Sequence, residues 1–440
     1  MPKRTARYRP RARSSHREGA LVELTIEALG ARGDGLASHD GTRVFVPLTL
    51  PAERVRARLG EWRADGIAAQ LIDILTPSEA RRQPPCPHFG SCGGCQLQHM
   101  ATEAEASWKS DEIARALARR GIVDFVMRPI VTVRPATRRR TRLVARSVGD
   151  GTQLGYHARA SHSIVDVESC AVLEPRLDRL LPALRDLAAA LLPAAAECAL
   201  VLTAADSGID LTVEATAPAD MQRREALARF VADHDLARAG WCVRGRIDPI
   251  AERRPAYVVF DGLRVPLPPL AFLQASREGE AAIAAAVVEA VGDAASVVDL
   301  FAGLGTLTFP LARHMRVHAV DGDADAIAAL AAAARQSAHA GRITWSERDL
   351  AAEPLSADEL ARFDAAVFDP PRAGAKAQSE AVGESVIKNA VSVSCNPSTF
   401  ARDARILVDR GFALDWVQPI DQFVWSSRIE LVARFVRTTS

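Results

Sequence analysis

Between Ala20 and about Leu75 the chain alternates apolar and polar positions in short runs: Val22, Leu24 and Ile26, then Val44-Phe45-Val46, then Ile72 and Ile74. A period of two places such residues on one face of a strand, and helical periodicity is weak here. Turn formers at Gly30, Gly33-Asp34-Gly35 and Asp40-Gly41 separate the runs, so the segment predicts a small β-barrel or sandwich of about sixty residues. Pro77 to Pro85 reads as a linker. From about Thr102 to Ala271, helical stretches such as Asp111 to Arg120 and Leu177 to Leu192 mix with strand-like ones such as Thr141 to Arg146, which predicts a mixed α+β central domain. After Ser296 the pattern changes to apolar runs separated by Ala-rich helices: Val297-Val298, Val317 to Val320, Ile343-Thr344, Ala365 to Phe368 and Val391 to Val393. That alternation predicts a parallel, doubly wound sheet.

A chain of 440 residues exceeds what one hydrophobic core organises, so two or three domains are expected. Hydrophobic residues make up 48% and charged residues 25%, and no apolar stretch is long and uncharged enough to span a bilayer, which predicts a soluble protein. Met1 to Ala20 is Arg-rich and lacks the apolar core of a secretion signal, which points to the cytoplasm. A net charge of only +1 argues against a polyanionic partner on average, but the basic residues are concentrated. One group is an N-terminal arm with Lys3, Arg4, Arg7, Arg9, Arg11, Arg13 and Arg17; the other holds Arg134, Arg138, Arg139, Arg140, Arg142 and Arg146. Each reads either as solvated surface or as a contact for phosphates.

In an open α/β sheet, ligands bind beyond the carboxyl ends of the strands, and here those ends carry chemistry repeatedly. Val297-Val298 runs into Asp299-Leu300-Phe301-Ala302-Gly303-Leu304-Gly305, whose two glycines let backbone approach a ligand. The next strands end at Asp321, placed to accept hydrogen bonds from ribose hydroxyls, and near Asp349. Without the third glycine of the dinucleotide fingerprint or the lysine of a P-loop, the set suits an adenosine-containing ligand lacking a pyrophosphate. Each aspartate reads equally well as a helix cap or turn residue. Two further strands end in Asp369-Pro370-Pro371-Arg372 and Ser394-Cys395-Asn396-Pro397. Pro397 suits the first turn of a helix capped by Asn396, which places Cys395 beside a helix N-terminus and predicts a thiolate-favouring environment.

Seven cysteines, an odd number over a long chain, do not suggest a disulfide framework. Cys86, Cys92 and Cys95 lie close enough in sequence to converge on one metal centre, with glycines between them. Thiolate count alone leaves a structural zinc and an iron–sulfur cluster open. Cys198 and Cys242 read as core residues.

Taken together, the G-x-G loop, the D-P-P-R and S-C-N-P motifs, the ending Asp421-Gln422-Phe423 to Glu430, the cysteine cluster and the N-terminal β-segment resemble the RNA uracil-5-methyltransferases, most closely those acting on 23S ribosomal RNA. The resemblance covers nearly the whole chain. It implies a Rossmann-like class I methyltransferase domain at 276–440, a TRAM-like, RNA-binding β-barrel at 18–77 and a mixed α+β central domain at 84–275 that carries a cluster site. It further implies S-adenosylmethionine as methyl donor and RNA, 23S rRNA in the first instance, as partner, with no protein partner inferred. Cys395 then corresponds to the nucleophile and Glu430 to the base. Gln274, Asp299, Phe301, Gly303, Gly305, Asp321, Asp349 and Asp369 form the cofactor-side set, within which Asp369 hydrogen-bonds the target base. Cys170 joins Cys86, Cys92 and Cys95 as the fourth ligand of a [4Fe-4S] cluster. The chain departs from the pattern at Arg428, where the family often has His, and at Ala302, where it often has Cys. Competing readings are the same reaction on tRNA, methylation of a base nitrogen, and an RNA-binding assembly factor with an inactive methyltransferase fold.

Overall fold

The computed structural model describes residues 17–438 apart from Ala64 and Asp150, so all of the basic arm except Arg17 lies outside the described residues. Two compact units emerge, one built from residues up to Pro84 together with Gln96–Ala104, the other from Pro85–Cys95 and from Glu105 onward. In the first, a six-stranded sheet runs in the order Leu21–Thr25, Arg54–Arg63, Gly66–Thr76, Thr42–Val46, Gly35–His39 and Ala28–Leu29. The alternating residues Leu24, Val44, Val46, Val55, Ala57 and Ile67 face inward and form its core, as a period of two requires.

The second unit contains two large sheets. A seven-stranded sheet spans residues 140–252 and is covered by helices Leu181–Leu191 and Met221–Asp233, whose leucines share its core. Cys198 and Cys242, 4% and 5% exposed, are core residues of this part.

The other sheet has nine strands. Its main path is Ile343–Glu347, Arg316–Asp321, Ser296–Leu300, Ala365–Phe368, Asn389–Ser394, Glu430–Arg437 and Phe412–Asp421. The first five are parallel and Glu430–Arg437 is antiparallel to both its neighbours. Ser296–Leu300 and Ala365–Phe368 are buried along their whole length, because helices cover both faces; this is why the second is a continuous apolar run and the first is apolar apart from Ser296 and the buried Asp299. Helices Arg277–Val291 and Ala324–Gln336 pack on one face, and Lys376–Glu384 and Pro397–Asp409 on the other. No helix among the described residues is long and apolar enough to cross a membrane.

One departure from the expected organisation affects the site. Val126–Met127 and Val131–Thr132 add to the edge strand Phe412–Asp421, and Ile113, Leu117 and Ile122 enter the core beneath Phe400 and Leu407. Within the expected central domain, 84–275, residues 113–132 therefore pack with the nine-stranded sheet, and Gln96–Ala104 go with the first unit. Periodicity showed that a helix would form here but not which sheet its apolar face would cover.

Candidate active site

Ser394 and Leu431 are paired neighbours on the antiparallel strands, so the next residues outward, Cys395 and Glu430, emerge side by side at the sheet rim. Asn396 caps the helix behind Cys395, its Oδ1 accepting the Ser398 N–H at 3.1 Å, and Pro397 occupies the first turn. Glu430 is only 3% exposed. Its Oε2 accepts a hydrogen bond from Gln422 Nε2 at 3.0 Å, and the same amide nitrogen donates to Gln274 Oε1 at 2.7 Å. Gln274 Nε2 in turn donates to Asp369 Oδ2 at 3.1 Å, while Gln422 Oε1 accepts the Ala275 N–H at 3.0 Å. The two amides are thereby locked in one orientation and join two buried carboxylates through N–H donors. Gln422 carried no assigned role in the sequence; its place next to Asp421 in the terminal motif was the only signal.

Burial raises both Glu430 and Asp369 above the usual carboxylate range, with the charge of Asp369 adding to the rise at Glu430, while the hydrogen bonds from Gln422 and Gln274 pull the other way; the pair titrates near neutrality. Cys395 is half-buried, and its environment corrects the thiolate expectation: burial and the neighbouring Glu430 push the thiol up to about 11, outweighing the opposing field of Arg372. The helix N-terminus is present, but desolvation and a carboxylate beside the sulfur dominate it. At neutral pH the raised value favours the thiol over the thiolate.

The G-x-G loop lies at the end of Ser296–Leu300. Phe301 has a φ of 63°, uncommon outside glycine, and Gly303 and Gly305 have φ values of 53° and 92°. Gly305 is required twice over, since a Cβ there would sit 2.5 Å from the Phe309 ring. Gly303 N–H donates to Asp321 Oδ2 at 2.8 Å, and the Asp323 N–H donates to Oδ1 at 2.8 Å, fixing the carboxylate at the strand end. Asp299 is fully buried; its Oδ2 accepts from Thr308 at 2.6 Å, whereas Oδ1 lacks a protein partner, and burial with the nearby Asp369 and Asp321 raises it to about 7. Asp349, exposed, accepts the N–H groups of Ala351 and Ala352, a turn role, although its backbone lies against Gly322. The loop, Asp299 and Asp321 are thus gathered at the carboxyl ends of adjacent strands, as an adenosine-binding crevice requires.

A buried ion triad supports this rim. Lys109, fully buried, contacts Glu105 Oε1 at 2.8 Å, Asp421 Oδ2 at 2.6 Å and the Phe423 carbonyl at 3.2 Å. Glu105 also accepts the N–H of Trp425, whose φ of 63° shows how sharply the loop before Glu430 turns. Burial pushes Glu105 up against the opposing pull of Lys109. Replacing Lys109 with Met leaves two buried carboxylates without their cation, and the expected loss is about 3–5 kcal/mol of unfolding free energy, measurable by urea denaturation. A loss below about 1 kcal/mol would show that the triad does not hold this loop.

The cysteine loop is less converged. Cys86, Cys92, Cys95 and Cys170 form no disulfide, and no group of three or more metal-binding side chains stands in ligating geometry among the described residues. Cys92 nevertheless lies within the electrostatic field of both Cys86 and Cys170, and Gly93 N–H binds the His157 carbonyl at a point where a Cβ would sit 2.8 Å from that oxygen. The donor set, four soft sulfurs around a glycine loop, suits zinc or iron–sulfur chemistry.

Of the basic stretch, Arg134, Arg139, Arg142 and Arg146 are each spent on ion pairs, with Glu278, Glu280, Glu214 and Glu197. The phosphate reading therefore narrows to Arg138 and Arg140. Arg140 donates to the Leu273 carbonyl and lies over the ring of Phe272, which is 70% exposed at the rim two residues before Gln274.

The Methyltransferase small domain family matches residues 279–394, the segment that builds the parallel half of the nine-stranded sheet. A protein of Caulobacter vibrioides named as an uncharacterized RNA methyltransferase is 43% identical over 95% of this chain and 100% of its own length. The 23S rRNA (uracil(1939)-C(5))-methyltransferase of an Enterobacter species is 33% identical over 94% of this chain and 96% of its own. This chain belongs to the RNA uracil-5-methyltransferase family. A solved tRNA (uracil-54, C5)-methyltransferase of Pyrococcus abyssi, bound to S-adenosyl-L-homocysteine, shares the fold with a TM-score of 0.71 at 21% identity, covering 94% of this chain and 100% of that one. As a member of the RNA uracil-5-methyltransferase family, the chain is an S-adenosylmethionine-dependent enzyme acting on RNA, with a Rossmann-like catalytic fold.

Proposed function

We propose that this enzyme methylates carbon 5 of a uracil in 23S rRNA through a covalent adduct with Cys395. The observation that carries the reading is the side-by-side emergence of Cys395 and Glu430 from adjacent antiparallel strands. Carbon 5 of uracil is too weak a nucleophile to take a methyl group unaided. The Cys395 thiol passes its proton to water, its sulfur adds to carbon 6, and the ring electrons move onto the carbonyl as an enolate. Carbon 5 of that enolate attacks the methyl group of S-adenosylmethionine, a second substrate, which leaves as S-adenosylhomocysteine. Glu430, once ionised, takes the carbon 5 proton; the carbon–sulfur bond then breaks and the thiolate returns.

In this reading Gln274, Asp299, Phe301, Gly303, Gly305, Asp321 and Asp349 face the methyl donor, and Asp369, kept protonated by burial, donates a hydrogen bond to a uracil carbonyl. The N-terminal sheet, 18–77, serves RNA binding. Cys86, Cys92, Cys95 and Cys170 hold a [4Fe-4S] cluster, whose contribution when bound is to brace their loop, since no step of the transfer needs an electron. The 33% identity to the Enterobacter enzyme favours 23S rRNA over tRNA. Mass-spectrometric mapping of 5-methyluridine in rRNA and tRNA from cells with and without the gene tests this. Loss of one 5-methyluridine from 23S rRNA is expected; loss from tRNA alone would move the substrate, and loss of an N-methylated base instead would overturn the mechanism.

A further inference from the structure

Arginines near this site characteristically end on carboxylates, as the four ion pairs of the basic stretch and the Arg277–Glu174 pair illustrate. Arg138, Arg372 and Arg428 do not: among the described residues no carboxylate or carbonyl accepts from their guanidinium groups. Their positions converge on the nucleophile. The Arg372 carbonyl accepts hydrogen bonds from Asn396 Nδ2 at 3.1 Å and Thr399 Oγ1 at 3.2 Å, which sets this residue beside the helix that follows Cys395. Arg428 lies two residues before Glu430, on the turn leading into the strand that faces Cys395. Arg138 precedes Arg139, whose N–H and guanidinium bind the carbonyls of Ala275 and Gln274, and its own backbone pairs with the segment after Cys170. Arg428 stands in the field of both other guanidiniums and of the Cys395 sulfur.

Three permanent cations gathered at one rim without an internal counter-ion repel one another, and an anion from outside relieves that repulsion. Uracil itself is neutral. The anionic groups that must lie beside it, once its nucleotide is turned into the site, are the phosphodiesters on either side. We propose that Arg138, Arg372 and Arg428 form an anion subsite that holds the phosphodiesters flanking the target nucleotide and so sets its base over Cys395. This rests on the reading of Cys395 as the nucleophile, but it concerns binding and is measurable without turnover.

The test is the salt dependence of affinity for a single-stranded oligoribonucleotide carrying one uridine, followed by fluorescence anisotropy across a potassium chloride titration. Each of Arg138→Gln, Arg372→Gln and Arg428→Gln is expected to lower the slope of log affinity against log salt by roughly 0.7 for each phosphate that is no longer neutralised, the single-strand value. S-adenosylhomocysteine affinity should be unchanged, which also reports that the variants fold. Arg142→Gln, whose guanidinium is already paired with Glu214, should leave the slope alone. Slopes equal to wild type in all three variants, with RNA still bound, would overturn the subsite and leave the methyltransferase reading intact. If instead the slopes hold and the pH profile of Cys395 alkylation by iodoacetamide shifts, the arginines serve the sulfur, and the proposal fails. A wild-type enzyme that binds no RNA would remove both readings together.

Discussion

Cys395→Ala is expected to lower methyl transfer to RNA by about 10⁴-fold or more, because a nucleophile that opens a covalent route has no substitute in the site. Two measurements check this. Transfer of labelled methyl from S-adenosylmethionine into RNA should vanish, while donor binding by calorimetry should not change. Wild-type enzyme should also form a complex that survives denaturing electrophoresis with RNA containing 5-fluorouridine, since fluorine at carbon 5 cannot leave as a proton and the adduct is stranded after methylation. The alanine variant should form none. Retained methylation in the variant would mean that the target atom needs no adduct, as a base nitrogen would not, and the assignment of carbon 5 would fall. The raised thiol sharpens the expectation: Cys395 should react slowly with iodoacetamide at neutral pH, because the free enzyme holds it protonated.

The second large effect is at Glu430. Glu430→Gln keeps the amide network's shape but cannot accept the carbon 5 proton, so turnover should fall by roughly 10²–10⁴-fold while the adduct still forms. A denaturation-resistant complex should then accumulate on ordinary uracil-containing RNA, which wild type releases. If turnover falls and no complex accumulates, Glu430 acts before methylation and is not the terminal base. The same variant has a signature in stability. Burial and Asp369 raise the folded-state pKa of Glu430 above its unfolded value, so the native state retains a proton that the unfolded chain has released. The stability that this proton confers is fully present below the ordinary glutamate range and is lost as pH rises through neutrality. Urea midpoints should therefore fall with pH over that interval in wild type and fall less steeply in Glu430→Gln.

The positions of Cys395 and Asp369 at strand ends were legible because parallel strands buried on both faces are predominantly apolar, and the residue that follows each run is where polarity returns, whereas Glu430, at the start of an antiparallel strand, was reached only through the family resemblance. The capped helix after Cys395 was equally legible from Asn396 and Pro397, whose effects are local. The long strand Phe412–Asp421 was not, because Asp415, Gln418 and Pro419 interrupt its alternation and its pairing shifts register between Leu414 and Trp416. Nor could spacing show that Lys109 would neutralise Asp421, more than three hundred positions away, or that four arginines of one basic stretch would be consumed by glutamates of other strands and of a helix.

Cys395 itself shows where the division falls. The amino-acid sequence by itself determined the local conformations: the strand that ends at this residue, the cap behind it and the turn glycines of the donor loop, each set by steric and hydrogen-bonding preferences within a few residues. The tertiary structure alone decided the protonation state of the sulfur, the amide chain that joins Glu430 to Asp369, and which arginines remain without a counter-charge. Those properties depend on distances between groups remote in the chain and on how much water packing leaves around them. A dipole effect read from one helix terminus was reversed once burial and a carboxylate on the adjacent strand were in place.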